Sequence, residues 1–306
     1  MPGEAKALFA AFIWGVTGVI LAYLTRRIGT LSVNATRAVC GALFLLLVII
    51  PTAAAGQLRE MSAATAVSMA GSGFLAFAVG DSFYLLALRG LGASIAVPIA
   101  ESAYPLFTFL FAWLWLEETF SAGLLLGSAL VVAGIILLTS RGEAPATSEV
   151  GGGVAIEGRM VAGRRRGWRT GLPIVLSASL FWALSTVWLR AGSGNLGPEG
   201  ASVMRVVPVA AILLAAAYGS PGGLQLPHYR PADLAAATLV GVFGLGVASL
   251  LYVSAIEDVG ASRTAILTAT VPLFTLPLAV VFLKERVTPR VVAGTLVCTV
   301  GIWFII

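Results

Sequence analysis

Charge is what this chain has least of: Asp, Glu, Lys and Arg make up 11% of its 306 residues, against about a quarter in a soluble domain. It also has a single histidine, His228, and two cysteines, Cys40 and Cys298. His228 falls in a polar stretch expected to be a loop, so a membrane-embedded Ser/His dyad or a histidine metal site is excluded, and no metal or cofactor is expected. Both cysteines lie inside apolar runs, which leaves no disulfide framework. The lack of a Walker-type phosphate loop argues against ATP driving any process within this chain. Apolar runs such as residues 43–50 do not alternate with polar residues, which excludes a closed β-barrel. With 58% apolar residues and a mean hydropathy of +0.97, the chain belongs in a lipid bilayer as helices, because lipid cannot satisfy an open backbone.

A helix needs about 20 mostly apolar residues to span the hydrocarbon. Ten such stretches are expected, near residues 5–24, 32–50, 65–88, 94–116, 122–139, 171–189, 201–218, 233–255, 262–283 and 289–305. They fall into two copies of one pattern. Phe12-Ile13-Trp14 recurs as Leu180-Phe181-Trp182 about 168 residues later, and the same offset pairs Arg37 with Arg205, Tyr84 with Tyr252 and Gly92 with Gly260. After a slip of one residue, Pro105 pairs with Pro272, Glu118 with Glu285, Gly127 with Gly294 and Gly134 with Gly301. An ordered series of this kind marks an internal duplication. The expected organisation is a five-helix repeat over residues 1–139, a polar basic linker over 140–170, and a second repeat over 171–306. An odd number of spans per repeat inverts the second copy relative to the first. The expected fold is therefore an all-α membrane protein of ten transmembrane helices arranged as two inverted repeats, an architecture of secondary transporters.

Basic residues between the spans and at their ends gather after the odd-numbered helices: Arg26, Arg27, Arg89, Arg141, Arg159, Arg164, Arg165, Arg166, Arg169, Arg230, Lys284, Arg286 and Arg290, against Lys6, Arg59, Arg190 and Arg263 on the other side. The bias places the linker in the cytoplasm and both termini outside. It also accounts for the net charge of +5 without nucleic acid, and the partners expected are a lipid bilayer and a small-molecule substrate, with the chain working as a monomer.

Candidate site residues sit where lipid would penalise them. Pro98 and Pro105 in the fourth span, and Pro272 and Pro277 in the ninth, free backbone carbonyls at corresponding places, which points to a central site between broken helices. Asp81 and Glu101 are the carboxylates deepest in the spans, and an ionised one costs about 2.5–3.5 kcal/mol at a helix centre, so each should face the interior. Neither has an acidic counterpart: Asp81 aligns with Ser249, and Glu101 with Thr268 or Ala269. They are candidates for proton coupling or for a counter-ion to a cationic substrate, or else structural partners of a buried arginine. Arg37 and Arg205 could draw in an anionic substrate group, or snorkel to the interface as arginines near helix ends do. Trp14, Thr17, Gly18 and Leu21 share a helix face, as do Trp182, Ser185 and Thr186, while Tyr84 and Tyr104 follow the two carboxylates by about a turn. The expected substrate-binding set is Trp14, Thr17, Arg37, Asp81, Tyr84, Glu101, Tyr104, Trp182, Ser185, Arg205, Tyr252 and Thr268, with Asp81 and Glu101 also carrying protons. Ser121 and Thr288 read as N-caps of the fifth and tenth helices, Glu118 and Glu285 as acidic residues of those corners, and Gly123, Gly127, Gly134, Gly294 and Gly301 as small-residue packing faces.

This ordered series resembles the ten-helix members of the drug/metabolite transporter superfamily, which carry two EamA-type domains. The resemblance runs through residues 12–19, Arg37, residues 84–94 and the proline helix leading to Glu118, each recurring in the second half. Where such proteins often have Glu directly before the fourth-helix proline, this chain has Tyr104. The resemblance implies a permease of the inner (cytoplasmic) membrane, often an exporter of amino acids, metabolites or drugs coupled to an ion gradient, with both termini cytoplasmic. The function expected is secondary transport by alternating access, not enzymatic; the alternatives are an intramembrane enzyme using Asp81 and Glu101 as a carboxylate dyad, or an uncoupled channel.

Overall fold

The computed structural model describes residues 1–52, 54–116, 122–139, 157–220, 222–285 and 287–305, so Glu118, Ser121, Arg141 and Arg286 lie outside the described residues. The regular elements are helical throughout this set. The first half comprises α1 (Gly3–Thr25), α2 (Thr30–Ile49), the short α3 (Ala54–Glu60), α4 (Ala63–Gly73), α5 (Asp81–Leu91), α6 (Ala93–Leu116) and α7 (Ala122–Thr139). The second comprises α8 (Glu157–Gly192), α9 (Pro198–Gly219), α10 (Pro231–Leu239), α11 (Ala248–Val259), α12 (Ala261–Thr268), α13 (Val271–Leu283) and α14 (Pro289–Ile305). Seven of the resulting rods are long and apolar enough to cross a membrane, and three shorter apolar helices, 129–138, 271–283 and 289–304, accompany them.

Three features depart from the sequence expectation. Helix α8 begins at Glu157 and so takes in residues 157–170, which their polar composition assigned to the linker; arginine is nearly as good a helix former as leucine, so charge alone does not stop a helix. The proline breaks are not matched. Helix α6 runs unbroken through Pro98 and Pro105, whereas the second half stops at Thr268 and restarts at Val271, because Pro272 cannot supply the N–H that the Thr268 carbonyl would accept. Near Pro105, the Ser179 hydroxyl of α8 donates to the Ala100 carbonyl at 2.8 Å. Lastly, α4 and α5 are joined through a π-helical turn (Phe74–Gly80), and α10 and α11 through another (Val240–Val247).

The halves interlock rather than sit side by side. Helix α1 packs on α11 and α13, and its counterpart α8 packs on α5 and α6; α2 lies along α9, and the most extensive pairing is α7 with α14. Small residues make these approaches possible. A Cβ on Gly134 would stand 2.4 Å from Cys298 Sγ, and one on Gly301 2.8 Å from the Gly127 carbonyl. A Cβ on Gly73 would stand 2.0 Å from the Arg205 carbonyl oxygen, and one on Gly241 2.3 Å from that of Arg37. Each copy thus seats the arginine helix of the other on a glycine.

The ends of the bundle are tied by polar contacts. At one end, Gln225 accepts from the Gly29 N–H at 2.8 Å, Arg26 pairs with Glu285, and Arg27 reaches Asp233 at 3.5 Å. At the other, Gln57 accepts from the Gly197 N–H at 3.0 Å and Lys6 pairs with Asp258 at 2.6 Å. The two glutamine contacts are counterparts across the repeat, and they fasten both ends of the antiparallel α2–α9 pair. Gly92 and Gly260, at φ of 80° and 85°, end α5 and α11 in a conformation that side chains resist. Thr288 caps α14 ahead of Pro289, accepting from the Val291 N–H at 3.4 Å. Glu285 serves a different helix from the one expected: its carboxylate accepts from the N–H groups of Ala93 and Ser94, at 3.2 and 2.9 Å, and so sits at the N-terminus of α6.

Candidate functional site

A π turn adds a residue to the helical ring and leaves one backbone carbonyl without its usual donor, and buried carbonyls need partners. The Asp81 N–H bonds back to the Ala76 carbonyl, and the freed Phe77 carbonyl takes the Asn34 amide at 2.9 Å. In the second half the Ala248 N–H bonds to the Phe243 carbonyl, and the Gly244 carbonyl takes the Trp14 indole N–H at 3.0 Å. Both turns open toward the middle of the bundle, contributing Ala76, Phe77, Gly244 and Leu245 to the wall of one cavity of about 120 Å³.

All twelve residues expected at a site line this cavity: Trp14, Thr17, Arg37, Asp81, Tyr84, Glu101, Tyr104, Trp182, Ser185, Arg205, Tyr252 and Thr268. Repeat-related aromatic pairs line it, with Trp14 and Tyr252 at 5.3 Å between centroids, and Tyr84 and Trp182 at 5.0 Å. Tyr104 joins a hydroxyl cluster, bonded to Thr186 at 2.9 Å and to Tyr252, with Thr186 and Tyr252 themselves at 3.2 Å. The Thr268 hydroxyl is spent within its own helix, on the carbonyls of Thr264 and Ala265.

The charged groups differ in how well they are satisfied. Arg37 and Arg205 do not snorkel: they are 5% and 3% exposed and line the cavity. Arg37 donates to Asp81 and, through Nε, to Asn34 at 2.9 Å. Asp81 also accepts from the Trp182 indole at 2.9 Å, so one carboxylate joins helices of both halves. Arg205 has no carboxylate partner among the described residues, and Ser249 stands where its own half would carry the aspartate. It donates to Ser185 at 3.1 Å and lies over the Phe77 ring at 5.0 Å, while its Nε is buried with no hydrogen-bond partner. Glu101, 8% exposed, has no hydrogen bond or ion pair among the described residues, and Asp81 is engaged elsewhere, so the two carboxylates do not form a hydrogen-bonded dyad.

Sequence reasoning missed Asn34, Phe77, Gly244 and Leu245. Their only signal was glycine in and beside the two π segments, Gly73 and Gly80 in one and Gly241, Gly244 and Gly246 in the other, of which Gly73 and Gly241 match across the repeat, and glycine in an apolar helix reads equally well as packing.

Comparison with known proteins agrees with this architecture. A transporter of Archaeoglobus fulgidus, named only as uncharacterized, is 23% identical over 97% of this chain and 95% of its own length. Another from Bacillus subtilis is 22% identical over 99% of this chain and 92% of its own. A Streptantibioticus cattleyicolor protein named a "probable terminal-alkyne amino-acid exporter" is 35% identical over 44% of this chain and 42% of its own. A solved crystal structure matches 98% of this chain and 96% of its own with a TM-score of 0.64 at 17% identity, a likeness of fold. The profile of the EamA-like transporter family matches residues 1–140 and again 169–306. With both halves matched and apolar helices of spanning length, this multi-pass membrane protein belongs to the EamA-like transporter family.

Proposed function

We propose that the chain is a secondary active transporter that exports small metabolites, amino acids or drug-like solutes across the cytoplasmic membrane as a monomer, by alternating access to the central cavity. Ten spans as two inverted five-helix repeats, residues 1–139 and 171–306, provide the frame, with the three shorter apolar helices counted as spans. The observation that carries the reading is a cavity walled by repeat-related residues of both halves, since a site on a pseudo-two-fold axis can face either side by a rocking of equivalent parts. Export is the direction because the relative that shares 35% identity over part of the chain is named an exporter. Asp81 and Glu101 carry the coupling proton.

Reconstitution into liposomes with an imposed pH gradient tests this. Saturable flux of amino acids or cationic drugs, driven by the gradient, is the expected outcome; flux that never saturates means a channel, and product formation without flux means an enzyme. Asp81→Asn or Glu101→Gln should remove the pH dependence of transport, and unchanged profiles in both variants sink proton coupling through these groups. A C-terminal reporter active only in the cytoplasm fixes the orientation, on which the basic loops and the family resemblance point opposite ways.

A further inference from the structure

We infer that the cavity takes a zwitterion whose cationic and anionic groups stand several bonds apart, the cationic end at Glu101 and the anionic end at Arg205. This rests on the transport function proposed above and names its substrate class.

Four charged side chains line the cavity. Arg37 and Asp81 satisfy each other, and Asn34 and Trp182 complete their hydrogen bonds. That leaves Glu101, with no partner among the described residues, and Arg205, with one serine, one ring face and an unbonded Nε. A buried charge without a counter-charge is strongly unfavourable. When Glu101 is ionised the two have opposite signs, so a solute with one charge leaves the other group uncompensated, and a neutral solute leaves both.

They make no ion pair with each other among the described residues, and they enter from opposite ends. Helix α6 starts at the end where Arg26 meets Glu285, whereas α9 starts at the end where Gly197 meets Gln57. Glu101 follows the first residue of α6, Ala93, by about 12 Å, and Arg205 follows the first residue of α9, Pro198, by about 10 Å, at about 1.5 Å of rise per residue. Across a hydrocarbon core of about 30 Å, their backbone attachments stand on the order of 8 Å apart in depth. An α-amino acid carries its charges on neighbouring atoms and meets one group at a time. A flexible chain of about four carbons between ammonium and carboxylate reaches both, with its methylenes against Trp14, Tyr252, Tyr84 and Trp182, an apolar wall with polar groups at its ends.

The test uses the full chain in liposomes loaded with labelled 5-aminopentanoate, competed by glycine, 3-aminopropanoate, 4-aminobutanoate, unlabelled 5-aminopentanoate, 6-aminohexanoate, pentanoate and pentylamine. Competition should rise with charge spacing and peak near the five-carbon member, about tenfold above glycine and both single-charge analogues. Glu101→Gln should let pentanoate compete as well as the zwitterion, Arg205→Gln should do the same for pentylamine, and Arg205→Lys should keep the zwitterion preference. Thermal unfolding of each variant in detergent separates lost preference from lost fold. Competition independent of spacing, or single-charge analogues equal to the zwitterion in the unaltered protein, overturns the inference. Saturable flux of other solutes with none of this series recognised overturns it while leaving the transport reading intact; no saturable flux of any solute overturns both.

Discussion

Two carboxylates that look alike in the sequence have opposite circumstances. Asp81 is 6% exposed and bonded to Arg37 and Trp182; Glu101 is bonded to nothing described. Asp81→Asn leaves a buried arginine uncompensated and is expected to cost about 3–5 kcal/mol of stability, with Trp182→Phe costing about 1 kcal/mol for the lost hydrogen bond. Glu101→Gln breaks no hydrogen bond or ion pair among the described residues and should unfold at the unaltered protein's temperature or above it. Thermal unfolding in detergent checks the order, and a Glu101→Gln protein as unstable as Asp81→Asn contradicts it. The inward depth of both residues was legible from hydropathy alone. Which of them was taken was not, because the partners of Asp81 lie 44 and 101 residues away and periodicity is a local signal.

At the scale of elements, the glycine seats bear on whether the arginine helices can dock at all. Gly73→Ala and Gly241→Ala each put a methyl group into the backbone of another helix, where no rotamer relieves it, and overpacking of this kind costs about 1–3 kcal/mol or more. Gly90→Ala, which meets nothing within 4 Å, should be neutral or stabilising, since alanine is the better helix former by about 1 kcal/mol. Yield of monodisperse protein across the three variants reads this out. The packing glycines of α7 and α14 were legible as a repeated small-residue pattern. The π turns were not: their sequences fit a regular helix equally well, and what selects the wider turn is a set of carbonyl partners, Asn34 and Trp14, supplied by other helices. The same holds for prolines, whose kinking power was legible while the asymmetry between an unbroken α6 and a divided α12–α13 depended on neighbours.

For the whole molecule, duplication and helical class followed from the chain, and the repeat also nominated the residues that line the cavity, because faces at i, i+3 and i+4 are set by helix geometry. The interlocking did not follow, since hydropathy says that a helix is buried without saying against which partner. It has a direct consequence for the separated halves. Expressed alone, residues 1–139 lack the surfaces that α1, α2 and α6 bury and should yield little folded protein. Co-expressed with residues 157–306 as a second chain, they should recover a complex that co-purifies; a stable, monodisperse first half on its own would contradict the arrangement described.

The reciprocal seats also constrain how such a chain can change over generations. Gly73 is held fixed by the backbone of Arg205, and Gly241 by that of Arg37, so after the duplication each copy became the environment in which the other was selected. The seats constrain backbones and leave the side chains of the shared cavity free to differ between copies, and it is there that the first copy carries Asp81 and Glu101 where the second has Ser249 and Thr268 or Ala269.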